Sequence, residues 1–87
     1  MNTRAPEVTQ KMLTAEKAFH ALQTLGYKIL LKFYECTLGE IDFVAKHNGE
    51  LVFIGINKIP SVKVAEYYIK RYGIKDVPYK LESFQVA

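Results

Sequence analysis

Leu38-Gly39-Glu40-Ile41-Asp42-Phe43-Val44-Ala45 and Leu51-Val52-Phe53-Ile54-Gly55-Ile56-Asn57-Lys58 are the two stretches that decide the fold of this chain. Both are rich in β-branched and aromatic residues, and each therefore predicts a β-strand. The connecting residues 46–50 contain Asn48-Gly49, a pair that favours a tight turn between antiparallel strands. The sequence thus predicts a hairpin at the centre of the fold.

Strand alternation places Glu40 and Asp42 on one face of this hairpin. The opposite face of the first strand is expected to carry Ile41, Phe43 and Ala45. Two carboxylates at this spacing belong either to a cation site or to a solvated face, and the pattern leaves both interpretations open. On the second strand, Leu51, Phe53, Gly55 and Asn57 share one face, and Val52, Ile54, Ile56 and Lys58 share the other. Apolar residues on both faces indicate a central strand that is covered on each side.

The composition predicts one soluble, intracellular and cytoplasmic domain. The chain has 87 residues, 49% of them hydrophobic, and no apolar run that approaches the roughly 18 residues of a membrane span. No membrane partner is therefore expected. The single cysteine, Cys36, excludes an internal disulfide and a cysteine-rich zinc site. Twelve basic against nine acidic residues give a net charge of +3, a bias compatible with nucleic acid that does not require it.

Helices are predicted on both sides of these strands. Apolar residues recur with helical spacing in the first segment, at Met12, Ala15, Phe19 and Leu22. Thr9 is a candidate N-cap, Gly26 ends the helix, and residues 1–8 are expected to be a mobile tail before a single domain at 9–87. Residues 27–34 then predict the first strand.

The second helix is predicted from Ser61 as N-cap to Gly73. Its apolar face is expected to hold Val62, Ala65, Ile69 and Tyr72, with Tyr68 alongside. A last strand over residues 79–86 should lie parallel to a neighbour, because a helix connects it to the preceding strand. The result is an α/β (α+β) domain with a small mixed sheet and the element order α-β-β-β-α-β.

Metal-dependent cleavage of a phosphodiester needs oxygen ligands for a hard cation and usually a lysine. Glu16, Glu40 and Asp42 could supply the oxygens if the first helix packs near the second strand. The facing positions on the third strand, however, hold Gly55 and Asn57. Lys58 is expected to point away from them unless a bulge at Gly55 shifts the register, which glycine permits.

Several segments resemble a known family. They are Glu16-Lys17-Ala18-Phe19-His20-Ala21-Leu22, Leu25-Gly26-Tyr27-Lys28-Ile29-Leu30, the run 38–45 and Leu51-Val52-Phe53-Ile54, with residues 65–68 and 75–82 towards the C-terminus. These motifs are similar to the YraN-type family of uncharacterised bacterial proteins, whose fold is similar to that of restriction endonucleases and archaeal Holliday-junction resolvases. The resemblance implies a PD-(D/E)XK-type nuclease site with Mg²⁺ or Mn²⁺ as cofactor. In such a site Glu16 would be the helix-borne acid and Asp42 the central metal ligand, with Glu40 beside it.

The chain departs from that family on the third strand. Where the family carries Glu, a hydrophobic residue and Lys, this sequence has Gly55, Ile56 and Asn57. Loss of one catalytic acid, base or charge-stabilising group typically costs about 10²–10⁴ in rate. The sequence therefore predicts a restriction-endonuclease-like core with a degenerate active site, whose nuclease activity is weak or lost.

Two functions remain open at this stage. The first is binding of DNA, branched or linear, through the predicted cations Lys58, Lys63, Lys70 and Arg71 with Tyr67 among them, although such a helix face is more often simply solvated. The second is a non-catalytic structural or protein-interaction domain, and a homodimer is compatible with it. Its support is a tyrosine-rich surface formed by Tyr67, Tyr68, Tyr72 and Tyr79. His20 and His47 have no partners at ligand spacing and are expected to be exposed.

Overall fold

A computed structural model describes residues 10–86 of the chain. The elements are α1 (Gln10–Thr24), β1 (Lys28–Cys36), β2 (Gly39–His47), β3 (Glu50–Ile56), α2 (Val62–Arg71) and β4 (Tyr79–Phe84). The predicted fold class and order α-β-β-β-α-β are confirmed. The proposed N-cap at Thr9 and the tail at 1–8 lie outside the described residues. Within the described part of the chain, neither helix has the length and apolar character needed to cross a membrane.

The four strands form one sheet in the order β1-β2-β3-β4. The first three strands are antiparallel neighbours, and β4 pairs parallel to β3 after the connection through α2, as predicted. The predicted hairpin is confirmed and is tighter than expected, because His47 already pairs with Glu50. Only Asn48 and Gly49 remain in the turn, and both adopt positive φ angles (52° and 80°), which is the geometry that favours Asn-Gly.

Two apolar clusters cover opposite faces of the sheet. The cluster under α2 contains Tyr34, Ile41, Val44, Leu51, Phe53, Val64, Ala65 and Tyr68. The cluster under α1 contains Ala15, Ala18, Leu22, Phe43, Ala45, Val52 and Ile54. Strand β3 contributes alternate residues to both clusters, so the prediction of a central strand covered on each side is confirmed.

The predicted alternation along β2 is wrong at one point. Ile41 belongs to the cluster under α2, whereas Phe43 and Ala45 belong to the cluster under α1. The cause lies on the neighbouring strand, where Phe33 has a φ of 55° in the middle of β1. This left-handed residue breaks the pleat between the pairs Lys32↔Phe43 and Tyr34↔Ile41, so that successive pairs face opposite sides. Asp42 lies at this break.

The predicted apolar face of α2 also needs correction. Val62 and Tyr72 are 46% and 59% exposed, whereas Val64, Ala65 and Tyr68 are the buried residues of this helix. Gly39, at the start of β2, explains the difference. A side chain at this glycine would lie 3.2 Å from the Val64 methyl group, so its absence lets α2 approach the sheet at Val64.

Candidate functional site

Asp42, the residue predicted to be the central metal ligand, is buried and bonded to the backbone. Only 3% of its surface is exposed, and its Oδ2 accepts a hydrogen bond of 2.8 Å from the Ile56 amide. The last regular pair between β2 and β3 is Phe43↔Ile54, so Asp42 lies just beyond the paired part of β2. The carboxylate therefore binds a backbone donor at the end of β3, where the β2–β3 pairing has stopped.

Gly55 occupies the position where the family pattern has a glutamate. The chain beyond β3 turns back over this residue, since Asn57 adopts a φ of 58°. A Cβ atom at Gly55 would collide with the Lys58 carbonyl oxygen and lie 3.1 Å from the Lys58 Cγ. The space that an acidic side chain would enter is thus occupied by the protein's own turn.

The proposed bulge at Gly55 is absent from the pairing of β3. Gly55 pairs in register with Ser83 of β4, and Ile56 pairs with Phe84. Because β3 ends at Ile56, Lys58 lies in the following turn and strand alternation does not determine its direction. The pairing with β2 ends at Ile54, before Gly55, and the direction of Lys58 relative to Asp42 stays a prediction.

Asn57, at the position where the resemblance predicts a lysine, has a structural role. Its Oδ1 accepts a 2.7 Å hydrogen bond from the Val86 amide, and its Nδ2 donates to the Val86 carbonyl at 3.2 Å. Its own backbone amide donates to the Phe84 carbonyl at 2.8 Å. These three bonds join the end of β3 to the last residue of β4 and to the segment that follows it.

The other two predicted acids lie at the surface. Glu16 is exposed on α1, on the side of the sheet that this helix covers, and lines a cleft described below. Glu40 is exposed near the β1–β2 turn, directly opposite Glu35 in the strand pairing. Sequence proximity along β2 brings Glu40 and Asp42 near each other, but their environments are very different.

The side chains around Asp42 do not fit the predicted metal site. Residues 10–86 contain no group of three or more His, Cys, Asp or Glu side chains arranged to hold a metal. Asp42 already uses one oxygen to bind the backbone, and Gly55 supplies none. Mg²⁺ takes six oxygen ligands at short distances and usually one or two carboxylates. Metal binding by Asp42 and Glu16 therefore stays a prediction, and the arrangement of side chains around Asp42 does not support it.

The predicted nucleic-acid-binding cations are all exposed. Lys58 lies in the turn after β3, and Lys63, Lys70 and Arg71 lie on α2. Tyr67 is also exposed, and its spacing of four and three residues from the two lysines of α2 places it on the same helix stripe. Since α1 and α2 pack on opposite faces of the sheet, this stripe and Glu16 lie on different sides of the molecule.

A tyrosine cluster lies beneath and beside this stripe. The Tyr34 and Tyr68 rings meet edge to face at 5.1 Å, and the Tyr68 and Tyr72 centroids are 4.7 Å apart. Burial raises the pKa of Tyr34 and of Tyr68 above the ordinary value. Both phenols therefore stay protonated at neutral pH, and the negative charge beside the α2 lysines comes from the exposed Glu66 carboxylate on the same helix.

Sequence reasoning missed a polar network at the opposite end of β3. His47, predicted to be exposed, is half-buried and stacks on Tyr27 with the ring centroids 3.9 Å apart. The Tyr27 hydroxyl donates a 2.8 Å hydrogen bond to Glu82, and burial together with this bond raises the pKa of Tyr27. Lys80 lies 3.2 Å from Glu82 and 3.4 Å from Glu50. The only sign of this network in the sequence is the alternation of Lys80 and Glu82 on β4. That pattern does not indicate which residues the two side chains contact.

Comparison with known proteins places these features in a family. Residues 15–70 match the model of Uncharacterised protein family UPF0102. The chain belongs to UPF0102. The predicted family resemblance is thereby confirmed. The matched region includes Glu16, Asp42, Gly55 and Asn57.

Several UPF0102 proteins are similar over much of the chain. One from Caldicellulosiruptor saccharolyticus is 30% identical over 82% of this chain and 75% of its own length. One from Lachnoclostridium phytofermentans is 41% identical over 72% of this chain, but only 50% of its own length is covered. One from Clostridioides difficile is 28% identical over 79% of this chain and 76% of its own length. The names of these proteins state no activity.

Proposed function

We propose that this UPF0102 protein binds nucleic acid through α2 and does not cleave it. The observation that carries the proposal is the exposed basic and aromatic stripe of α2, formed by Lys63, Tyr67 and Lys70 with Arg71 beside them. Lysine and arginine neutralise phosphates and release counterions, which gives a favourable binding term that depends on salt. An exposed tyrosine among them adds a surface on which an unpaired base can stack.

The absence of cleavage is inferred from the end of β3. A phosphodiesterase of the predicted type needs an acid and a lysine at the positions of Gly55 and Asn57. The first position is covered by the Lys58 carbonyl, and the second binds Val86. Both positions serve the fold here, so we expect no metal-dependent turnover.

Binding is tested by fluorescence anisotropy with labelled single-stranded, duplex and four-way-junction DNA at 50 and 200 mM salt. The test variant is Lys63→Gln/Lys70→Gln, and the matched control is Lys17→Gln/Lys28→Gln, which removes the same charge from exposed lysines of α1 and β1. We expect the α2 variant to bind at least tenfold more weakly at 50 mM salt. Its log–log salt slope should also fall by about two, or one per lysine.

The control separates a binding surface from net charge. Equal weakening of both double variants would show that overall charge alone drives the interaction and would contradict the α2 assignment. No binding of any of these DNAs at 50 mM salt would remove the proposal altogether.

Cleavage is tested by nicking of supercoiled and branched DNA in millimolar Mg²⁺ or Mn²⁺. We expect no products above background. Products that disappear in Asp42→Asn would overturn the non-catalytic interpretation and restore the predicted nuclease site. A Mn²⁺ titration followed by NMR at Glu16, Glu40 and Asp42 should likewise show no site-specific broadening at millimolar metal.

A second candidate function is that of a protein-interaction domain that associates with a second copy of itself. It is favoured by exposed apolar side chains at and before the start of α2, namely Ile59 and Val62, and by Tyr72 at its end. Sedimentation at micromolar concentration would then reveal a dimer that Val62→Asp dissociates. A monomer at all concentrations, together with DNA binding, would leave only the first candidate.

A further inference from the structure

An apolar cleft of about 370 Å³ opens between α1, the edge strand β1 and the adjacent strand β2. Its apolar lining includes Leu13, Phe19, Phe33 and Phe43. Pockets of about 300–1,000 Å³ with an apolar lining and a few polar groups are the usual sites of small ligands. The cleft lies on the α1 side of the sheet and is therefore separate from the α2 stripe.

Phe33 presents an aromatic ring to this cleft at a cost in backbone strain. It is 43% exposed although its centroid lies 6.3 Å from that of Phe43. A φ of 55° is unusual for a bulky residue and costs roughly 1–3 kcal/mol. Strain of this kind collects at ligand sites, and the exposed part of this ring lines the cleft.

Two side chains of opposite charge also line the cleft. Glu16 comes from α1 and Lys32 from β1. The Lys32 ammonium lies 3.9 Å from the centre of the Phe19 ring, a cation–π contact that holds it at the aromatic wall. The cleft thus combines flat aromatic surfaces with one hydrogen-bond acceptor and one donor, both charged.

We propose that this cleft binds an unpaired guanine base. A purine stacks on Phe33, and the adjacent N1–H and N2–H groups of guanine donate to the two oxygens of the Glu16 carboxylate. The neighbouring guanine O6 accepts from the Lys32 ammonium. This assignment goes beyond binding at α2, and it holds whether or not the α2 stripe binds phosphates.

The other bases complement these two charges less well. Adenine offers one amino donor and no carbonyl acceptor for the lysine. Cytosine places an unprotonated ring nitrogen beside its amino group, and uracil places its single N–H between two carbonyls, one of which would face the carboxylate. Proteins recognise unpaired bases of single strands by stacking on the base and by hydrogen bonds to its Watson–Crick edge.

The test is a set of NMR titrations with guanosine, adenosine, cytidine and uridine. We expect guanosine to shift signals of the cleft and to bind at least tenfold more tightly than the other nucleosides. Phe33→Leu should weaken guanosine about tenfold, in line with the loss of one stacking contact. Glu16→Gln, an exposed substitution that leaves the core intact, should abolish the preference for guanosine over adenosine.

Leu38→Ala is the matched control, because Leu38 is exposed in the β1–β2 turn outside the cleft. It should bind guanosine as the unmodified protein does. No guanosine binding at millimolar concentration, or binding that Glu16→Gln and Phe33→Leu leave unchanged, would overturn the proposal.

A second arm separates a free nucleoside from a base within a strand. A DNA hairpin with one guanine in its loop is compared with guanosine monophosphate and with the same hairpin carrying adenine. Tighter binding of the guanine hairpin, lost with Glu16→Gln, assigns the cleft to nucleic acid, whereas tighter binding of the monophosphate assigns it to free nucleotides. Lys63→Gln/Lys70→Gln should bind guanosine normally, so failure at α2 and failure at the cleft are distinguishable.

Discussion

The two ends of strand β3 are held by different kinds of polar contact. At its start, the Lys80 ammonium forms ion pairs with the carboxylates of Glu50 and Glu82, and all three side chains are partly exposed. At its end, Asp42 and Asn57 bind backbone groups, and a turn packs directly over Gly55. Exposed ion pairs contribute little to stability, whereas a buried backbone donor that loses its partner costs about 1–3 kcal/mol.

The difference shows that the polar residues at the end of β3 stabilise the fold itself. The family resemblance places an acid and a lysine at the end of β3. At this same end, the side chains of Asp42 and Asn57 form hydrogen bonds with backbone groups. Gly55 and Asn57 have packing and hydrogen-bonding roles here, and an acidic side chain at position 55 would collide with the turn that follows β3.

The largest effect is expected for Gly55→Ala. The added methyl group meets the Lys58 carbonyl, a backbone atom that cannot rotate away, and overpacking of this kind costs about 1–3 kcal/mol. Urea unfolding at pH 7 measures the loss. Ser83→Ala, at the paired position on β4, is the control and should change stability little. Unchanged stability of Gly55→Ala would mean that the turn opens easily and that the position could again accept an acid.

Asp42→Ala should have the next largest effect. The Ile56 amide loses its acceptor, with an expected cost of about 1–3 kcal/mol, while Asp42→Asn keeps an oxygen and should cost less. Hydrogen exchange of the Ile56 amide should quicken in the alanine variant more than in the asparagine variant. If Asp42→Ala is instead more stable than the parent, the cost of burying the carboxylate outweighs its hydrogen bond.

Asn57→Ala should lower the free energy of unfolding by about 1 kcal/mol, because two partly solvated hydrogen bonds to Val86 are lost. The Val86 amide should exchange faster as a result. Asn57→Gly retains the positive φ and isolates the contribution of the side-chain bonds. Similar exchange at Val86 in the parent and in both variants would show that these bonds contribute nothing.

The smallest expected effect is a loss of stability at alkaline pH, caused by ionisable side chains near the start of β3. Burial and Glu82 raise the pKa of Tyr27, and Glu82 followed by Glu50 raises the pKa of Lys80. Both groups hold their protons more tightly in the folded state, so their contribution is complete below the unfolded pKa values of about 10 and is lost as pH rises through the folded ones. Stability should therefore fall above about pH 10.

Tyr27→Phe tests this sign. Because phenylalanine does not ionise, the variant should lose less stability between pH 8 and 11 than the parent, as measured by urea unfolding. Tyr72→Phe is the control, since that ring is largely exposed. A residual slope is expected from Tyr34 and Tyr68, whose pKa values burial also raises. Equal slopes for parent and Tyr27→Phe would contradict the assignment.

Much of the fold could be predicted because local patterns repeat. Alternation in β3 places Leu51 and Val52 on opposite faces, and Asn48-Gly49 specifies the hairpin turn. The buried face of α2 was not predictable in the same way. It depends on contact between Val64 and Gly39, which are far apart in sequence, whereas helical periodicity considers only neighbours within the helix.

The present roles of the residues at the candidate site were not predictable from the sequence. The resemblance predicted only that Gly55 and Asn57 stand where an acid and a lysine were expected. Their present roles depend on Lys58, which folds back through a turn, and on Val86, which arrives after β4. The cleft beside α1 was equally hidden, since Glu16 and Lys32 line one cleft only when α1 packs on β1.

By itself the sequence determined the element order, the hairpin, the central strand and the UPF0102 family, because these follow from residue periodicity, turn chemistry and local motifs. Only the tertiary structure decided how the remaining polar residues are used. Asp42 binds a backbone amide, Asn57 joins two strand ends and Phe33 reverses the pleat. The physical reason is that each role requires a partner from another element, and sequence spacing does not specify where that partner lies.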